Sequence, residues 1–104
     1  MQHTEATLLR HMVMFKKKAH TDAAAIQEIM ARLEGLKDQI PELIAIRCYR
    51  ALPSDRPVAY TFLLDSTVAD TDALGVYLRH PAHVAVNEWM SPLLESRAVV
   101  DYEE

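Results

Sequence analysis

An α+β fold, built as one antiparallel sheet with helices over one of its faces, is what this sequence predicts. Three observations carry that expectation. The 104 residues suit one compact domain, taken as 1–104 with a core at about 8–103. Four runs of two-residue alternation are interleaved with two regions of 3.6-residue periodicity, in the order βαββαβ. Apolar residues also occupy both faces of the strands, so the sheet has more oily surface than two helical regions can cover.

The first strand is expected over 7–17, with Leu9, His11, Val13 and Phe15 on one face and Leu8, Met12 and Met14 on the other. A helix follows from Thr21, a good N-cap, to about Lys37. Its apolar stripe is Ile26, Ile29, Met30, Leu33 and Leu36; Gly35 weakens its last turn, and Ile40-Pro41 stops it. The second strand spans 43–51 and ends in the turn Pro53-Ser54-Asp55-Arg56-Pro57. A third is expected at 58–65, alternating through Val58, Tyr60, Phe62 and Leu64. Asp70 caps a short helix through Ala73, Leu74, Tyr77 and Leu78. Pro81 breaks it and starts a second helical segment, whose inward positions are Val86, Met90, Leu93 and Leu94, with Pro92 ending a turn. Residues 97–103 supply the last strand.

This is the ferredoxin-like arrangement. Since its helices shelter one sheet face, a second copy of the chain is the expected cover for the other. Two such sheets packed face to face form a barrel-like core through an isologous two-fold contact, a dimeric α/β barrel.

Composition excludes several classes. Half the residues are apolar and a quarter charged, as in a globular chain. No apolar run approaches the ~20 residues that cross a bilayer, and the start Met1-Gln2-His3-Thr4-Glu5 lacks the order of a secretory leader, so a cytoplasmic protein without a membrane partner is expected. The net charge is −4, and Lys16-Lys17-Lys18 lacks interleaved aromatics, so the run is read as a solvated strand end and no nucleic-acid partner is expected. Cys48 is the only cysteine, which rules out an intrachain disulfide; in a strand, with nothing near to lower its pKa, it is read as inert.

The densest polar cluster is Tyr77-Leu78-Arg79-His80-Pro81-Ala82-His83. With His80 as cap and Pro81 at the first helical position, His83 falls in the first turn. There the helix dipole disfavours imidazolium and favours a neutral, proton-accepting ring. The Tyr77 hydroxyl is placed to hold a carbonyl or phenol oxygen at the same opening, and His11 to add a third polar group. Each has a structural alternative: His80 as a plain cap, His11 as a core histidine, and Tyr77 and His83 as partners of one another. His80, His83 and His11 have no acid or thiol placed to complete a metal site, so no metal and no cofactor are expected.

The opening Leu9-Arg10-His11-Met12-Val13-Met14-Phe15-Lys16, the Tyr77-x-x-His80-Pro81-Ala82-His83 segment and the ending Arg97-Ala-Val-Val-Asp101-Tyr102 resemble the Dabb, or stress-responsive A/B barrel, family. The resemblance implies a ferredoxin-like homodimer but no single activity. One plant branch cyclises polyketides; by resemblance His83 would be its general base and Tyr77 the helper. Phe62 stands where that branch has a histidine, which makes the pocket less polar. A pocket near this segment is therefore expected to bind a small apolar or aromatic molecule, with His83 and Tyr77 as catalytic candidates and His11, Phe62 and His80 as ligand contacts. Two alternatives stand beside it: a cofactor-free enzyme such as a cyclase, isomerase or small monooxygenase, and a stress-protective oligomer without catalysis.

Overall fold

The computed structural model describes residues 7–104; the leader-like or leader-free character of the first five residues lies outside the described residues. The elements run β1 (Leu9–Lys17), α1 (Ala23–Gly35), a 3-10 turn (Leu36–Asp38), β2 (Ala45–Arg50), β3 (Phe62–Val68), α2 (Thr71–Arg79), α3 (Pro81–Met90), a second 3-10 turn (Ser91–Leu93) and β4 (Leu94–Glu103). The four strands form one antiparallel sheet in the order β2-β3-β1-β4, a ferredoxin-like α+β fold.

Alternation in β1 does what the sequence pattern implies. Leu9, His11, Val13 and Phe15 are buried beneath the helices. Ile26, Ile29 and Leu33 of α1 close over them without solvent exposure, and Phe15 stacks on Phe62 of β3 with ring centres 4.8 Å apart. A buried aliphatic or aromatic side chain contributes about 1.5–3 kcal/mol, so this layer supplies most of the drive to fold.

Three boundaries differ from the sequence reading. Asp22, not Thr21, caps α1: its carboxylate accepts from the Ala25 amide at 2.8 Å, while the Thr21 hydroxyl is buried and donates to the Leu93 carbonyl at 2.7 Å. The third strand lies at Phe62–Val68 rather than 58–65, because pairing with β1, from Phe15↔Phe62 to Leu9↔Val68, decides it. Residues 51–61 remain a loop around Pro53 and Pro57, which lack the N–H a ladder needs. Polar Asp65 and Ser66 sit within the strand because both are satisfied there: Asp65 pairs with Arg10, and the Ser66 hydroxyl donates to the His11 carbonyl at 3.1 Å. Lastly, β4 begins at Leu94, three residues earlier than expected, its pairing running past a register shift opposite Lys16 and Lys17.

All three helices lie on one side of the sheet. The opposite face carries Met12, Met14, Leu63, Tyr49, Val100 and Tyr102, four of which are substantially exposed, with the Arg10–Asp65 pair toward one end. Among the described residues no helix is long and apolar enough to cross a membrane.

Candidate functional site

The break between α2 and α3 positions the site. Proline at 81 forces His80 into an extended conformation (φ −61°, ψ 136°), which ends α2. The same residue starts α3, because the His80 Nδ1 accepts from the Ala82 amide at 3.0 Å. The chain thus turns within one residue. Tyr77 is left in the last turn of α2 and His83 in the first turn of α3, their rings edge-on with centres 4.9 Å apart.

His83 Nδ1 lies 3.0 Å from the Leu78 carbonyl oxygen. A carbonyl only accepts, so Nδ1 carries the proton and, in the neutral ring, Nε2 keeps a free lone pair. The His83 pKa is lowered, first by burial and then by the charges of His11 and Arg97, against the opposing pull of the Leu78 carbonyl. The ring is therefore neutral at about pH 7, with burial the largest cause.

His11 enters from β1. The register that places it opposite Asp101 of β4 brings its Nδ1 to 2.5 Å from the Asp101 carboxylate, to which it donates. His11 is buried and its ring stands edge-on to Tyr77 at 6.0 Å. Between the β4 edge and α3 opens a cavity of about 270 Å³, walled by Val13, Phe15, Leu33, Leu64, Leu78, Met90 and Val99 and carrying His11, His83, Asp101 and Arg97 as its polar groups. A larger hollow of about 530 Å³ lies under the 51–60 loop, with no histidine on its wall. Convergent polar groups on apolar walls mark a binding cavity, which favours the smaller one.

The structure brings His11 and His83 to one cavity. Tyr77 lies behind them: it is fully buried, it is not part of the cavity wall, and its hydroxyl has no hydrogen-bond partner among the described residues. Burial pushes its pKa up to about 12, with the Ser66 hydroxyl pulling the other way. His80 is spent on the cap, and Phe62 sits in the core stack; neither lines the cavity. Sequence reasoning missed Asp101 and Arg97. Pairing β1 with β4 antiparallel and continuing the alternation from His11 would have placed both on the helix side of the sheet. No group of three His, Cys, Asp or Glu side chains is placed to hold a metal among the described residues.

The lowered pKa of His83 has a measurable consequence. The unfolded chain takes up the proton first as pH falls, so the stability contributed by the neutral ring is present above the ordinary value of 6.5 and lost as pH falls through the lower folded value. Urea midpoints of wild type should decline on acidification across that window, and His83→Gln should decline less. Equal slopes would show that His83 titrates alike in both states.

Comparison with known proteins decides the family. Residues 9–104 match the Dabb family model, described as the stress-responsive A/B barrel domain. The chain belongs to the Dabb family. An uncharacterised Streptomyces coelicolor protein, SCO4036, is 36% identical over 99 residues, covering 92% of this chain and 99% of its own. Among solved structures, a dimeric ferredoxin-like protein of unknown function from Bacteroides fragilis is 25% identical, with TM-score 0.77 and coverage of 93% of this chain and 96% of that one. A hydroxynitrile lyase from Passiflora edulis is 20% identical with TM-score 0.85, covering 96% and 95%, and shares the fold.

Proposed function

We propose that this Dabb protein works as a homodimer that binds a small apolar or aromatic molecule in the cavity beside His11 and His83. The observation carrying the proposal is the cavity itself. Two histidines with fixed partners, Leu78 O and Asp101, meet on walls otherwise dominated by aliphatic and aromatic side chains. The dimer is supported by the exposed apolar sheet face and by the dimeric state of the Bacteroides fragilis relative.

Thermal shift against a set of aromatic aldehydes, ketones and phenols tests the binding. A ligand held by the folded form alone at 100 times its Kd adds about 2.7 kcal/mol of stability, an easily read rise in Tm. Val99→Trp, which fills the mouth from a half-exposed strand position, should abolish the response while the chain stays folded. Hits that survive Val99→Trp, or the absence of any hit, would contradict the proposal.

A cofactor-free enzyme is the second reading, and one observation favours it: His83 presents an unprotonated Nε2 held in place by its Nδ1–H bond, the arrangement a general base needs. In that reading His83 takes the proton and Tyr77 acts through its ring, which packs against His83. Turnover of an accepted substrate should then vanish in His83→Ala.

A further inference from the structure

The cavity carries a charge that the neutral-ligand reading does not use. Arg97 projects from β4 at the mouth, and its guanidinium lies 5.1 Å over the Phe15 ring. One terminal nitrogen donates to the Asn87 side-chain oxygen at 2.7 Å and the other to the Ser91 hydroxyl at 3.1 Å. Ser91 in turn donates to the Asn87 carbonyl at 2.6 Å, so α3 and the turn after it hold the guanidinium by a closed set of bonds. Every one of these partners is neutral.

Arg10, Arg32 and Arg47 each meet a carboxylate, Asp65 and Glu104, Glu28 and Glu34 respectively, whereas Arg50, Arg56 and Arg79 meet none among the described residues and line no part of this cavity. Among the described residues no carboxylate lies within ion-pair reach of Arg97. The nearer acid farther along the same strand face, Asp101, is four residues away, roughly 13 Å at strand spacing, and is already held by His11; Glu103 lies two residues beyond it. Partial burial lowers the Arg97 pKa, although the residue remains open to solvent at the cavity mouth. A guanidinium has five N–H donors, and two are used here, which leaves a planar fork open for two parallel bonds. Because Asn87 and Ser91 already fix the side chain, a ligand spends little ordering it.

Resting on the cavity proposed above, we infer that the site selects a small aromatic or branched-apolar carboxylate, whose carboxylate docks on Arg97 while its body lies along Val99 and Leu78 toward His83. The apolar wall supplies the body's contacts. Arg97 supplies the choice of acid over neutral analogue.

Calorimetric titration with trans-cinnamate and with cinnamamide separates the two contributions, since the pair differ in charge and hardly in shape. Charge-assisted pairing on a preset guanidinium should favour the acid by at least about tenfold, and added salt should narrow that margin. In Arg97→Gln the acid should fall to the level of the amide, whose own affinity stays put. Arg97→Lys, which keeps the charge but not the fork, should retain part of the preference. Thermal unfolding of both variants confirms that they fold, and the wild-type acid-to-amide ratio stands without them. Equal binding of acid and amide by wild type, or a preference that survives Arg97→Gln, would overturn the inference while leaving the cavity reading intact. If neither compound binds wild type or shifts the His83 ring resonances, the inference falls together with the cavity reading.

Discussion

Replacing Met12 and Met14 together by glutamate is expected to convert a species of twice the 11.8 kDa chain mass into one of 11.8 kDa, with helical content unchanged. Both methionines lie on the sheet face away from the helices; in the strand register Met12 is flanked by Asp65 and Val100, and Met14 by Leu63 and Ala98. Met14 is 38% exposed and Val100 56%, so within one subunit a carboxylate at 14 meets water and costs the fold little. Across a two-fold contact the outcome reverses. Each substitution occurs in both copies; the carboxylate at 14 is driven into an apolar seam, and the one at 12 is set against the like charge of Asp65, which Arg10 already holds. Burial of unpaired charge costs several kcal/mol, and even about 4 kcal/mol in total weakens a dimer roughly 1,000-fold. Sedimentation at micromolar concentration reads the result. A wild type already monomeric there would remove the dimer from this account.

Tyr77→Ala should cost about 3–5 kcal/mol, the range for emptying a large aromatic from a packed core, whereas Tyr77→Phe should be neutral or stabilising by up to about 1 kcal/mol. The contrast follows from where the two parts of the side chain sit. The ring is fully enclosed and packs edge-on against both His11 and His83, so its loss leaves a void that β1 and α3 cannot close without moving. The hydroxyl is enclosed as well but has no partner among the described residues, and an unsatisfied buried hydroxyl is itself a cost. Urea unfolding of the pair tests this. A Tyr77→Phe loss above about 1 kcal/mol would mean that the hydroxyl is bonded, by the Ser66 hydroxyl or by bound water.

Much of the architecture was readable because its signals are local. Alternation through Leu9, His11, Val13 and Phe15 stated which side of β1 is buried, and His80-Pro81 carried both the stop of α2 and the start of α3. What escaped was set by pairing. Nothing in Val58–Tyr60 says it is not strand; the limit comes from β1, whose partner residues begin at Phe62. Asp65 looked like a strand end until Arg10, 55 residues away, came across to neutralise it. The site divides in the same way. His83 was legible as a candidate from its place after Pro81, but the burial that lowers its pKa was not, since burial depends on what packs over it. Asp101 and Arg97 gain meaning only when β4 lies antiparallel to β1 and turns them toward the helices. Tyr77 shows the limit most clearly, because a tyrosine beside a histidine motif reads as a wall residue, while the packing of α2 encloses its hydroxyl away from bulk solvent.

His83 lines the cavity with its Nδ1–H tied to Leu78, which leaves Nε2 bare in the neutral ring. Long-range proton–nitrogen NMR correlation of the imidazoles at neutral pH reports that proton's position directly. The prediction is the Nδ1–H tautomer for His83 in wild type, with Nε2 giving the resonance of an unprotonated ring nitrogen that shifts when a ligand binds. A protonated Nε2 at neutral pH would contradict it, because the Nδ1–H bond to Leu78 in a neutral ring and the base reading of His83 both need Nε2 bare.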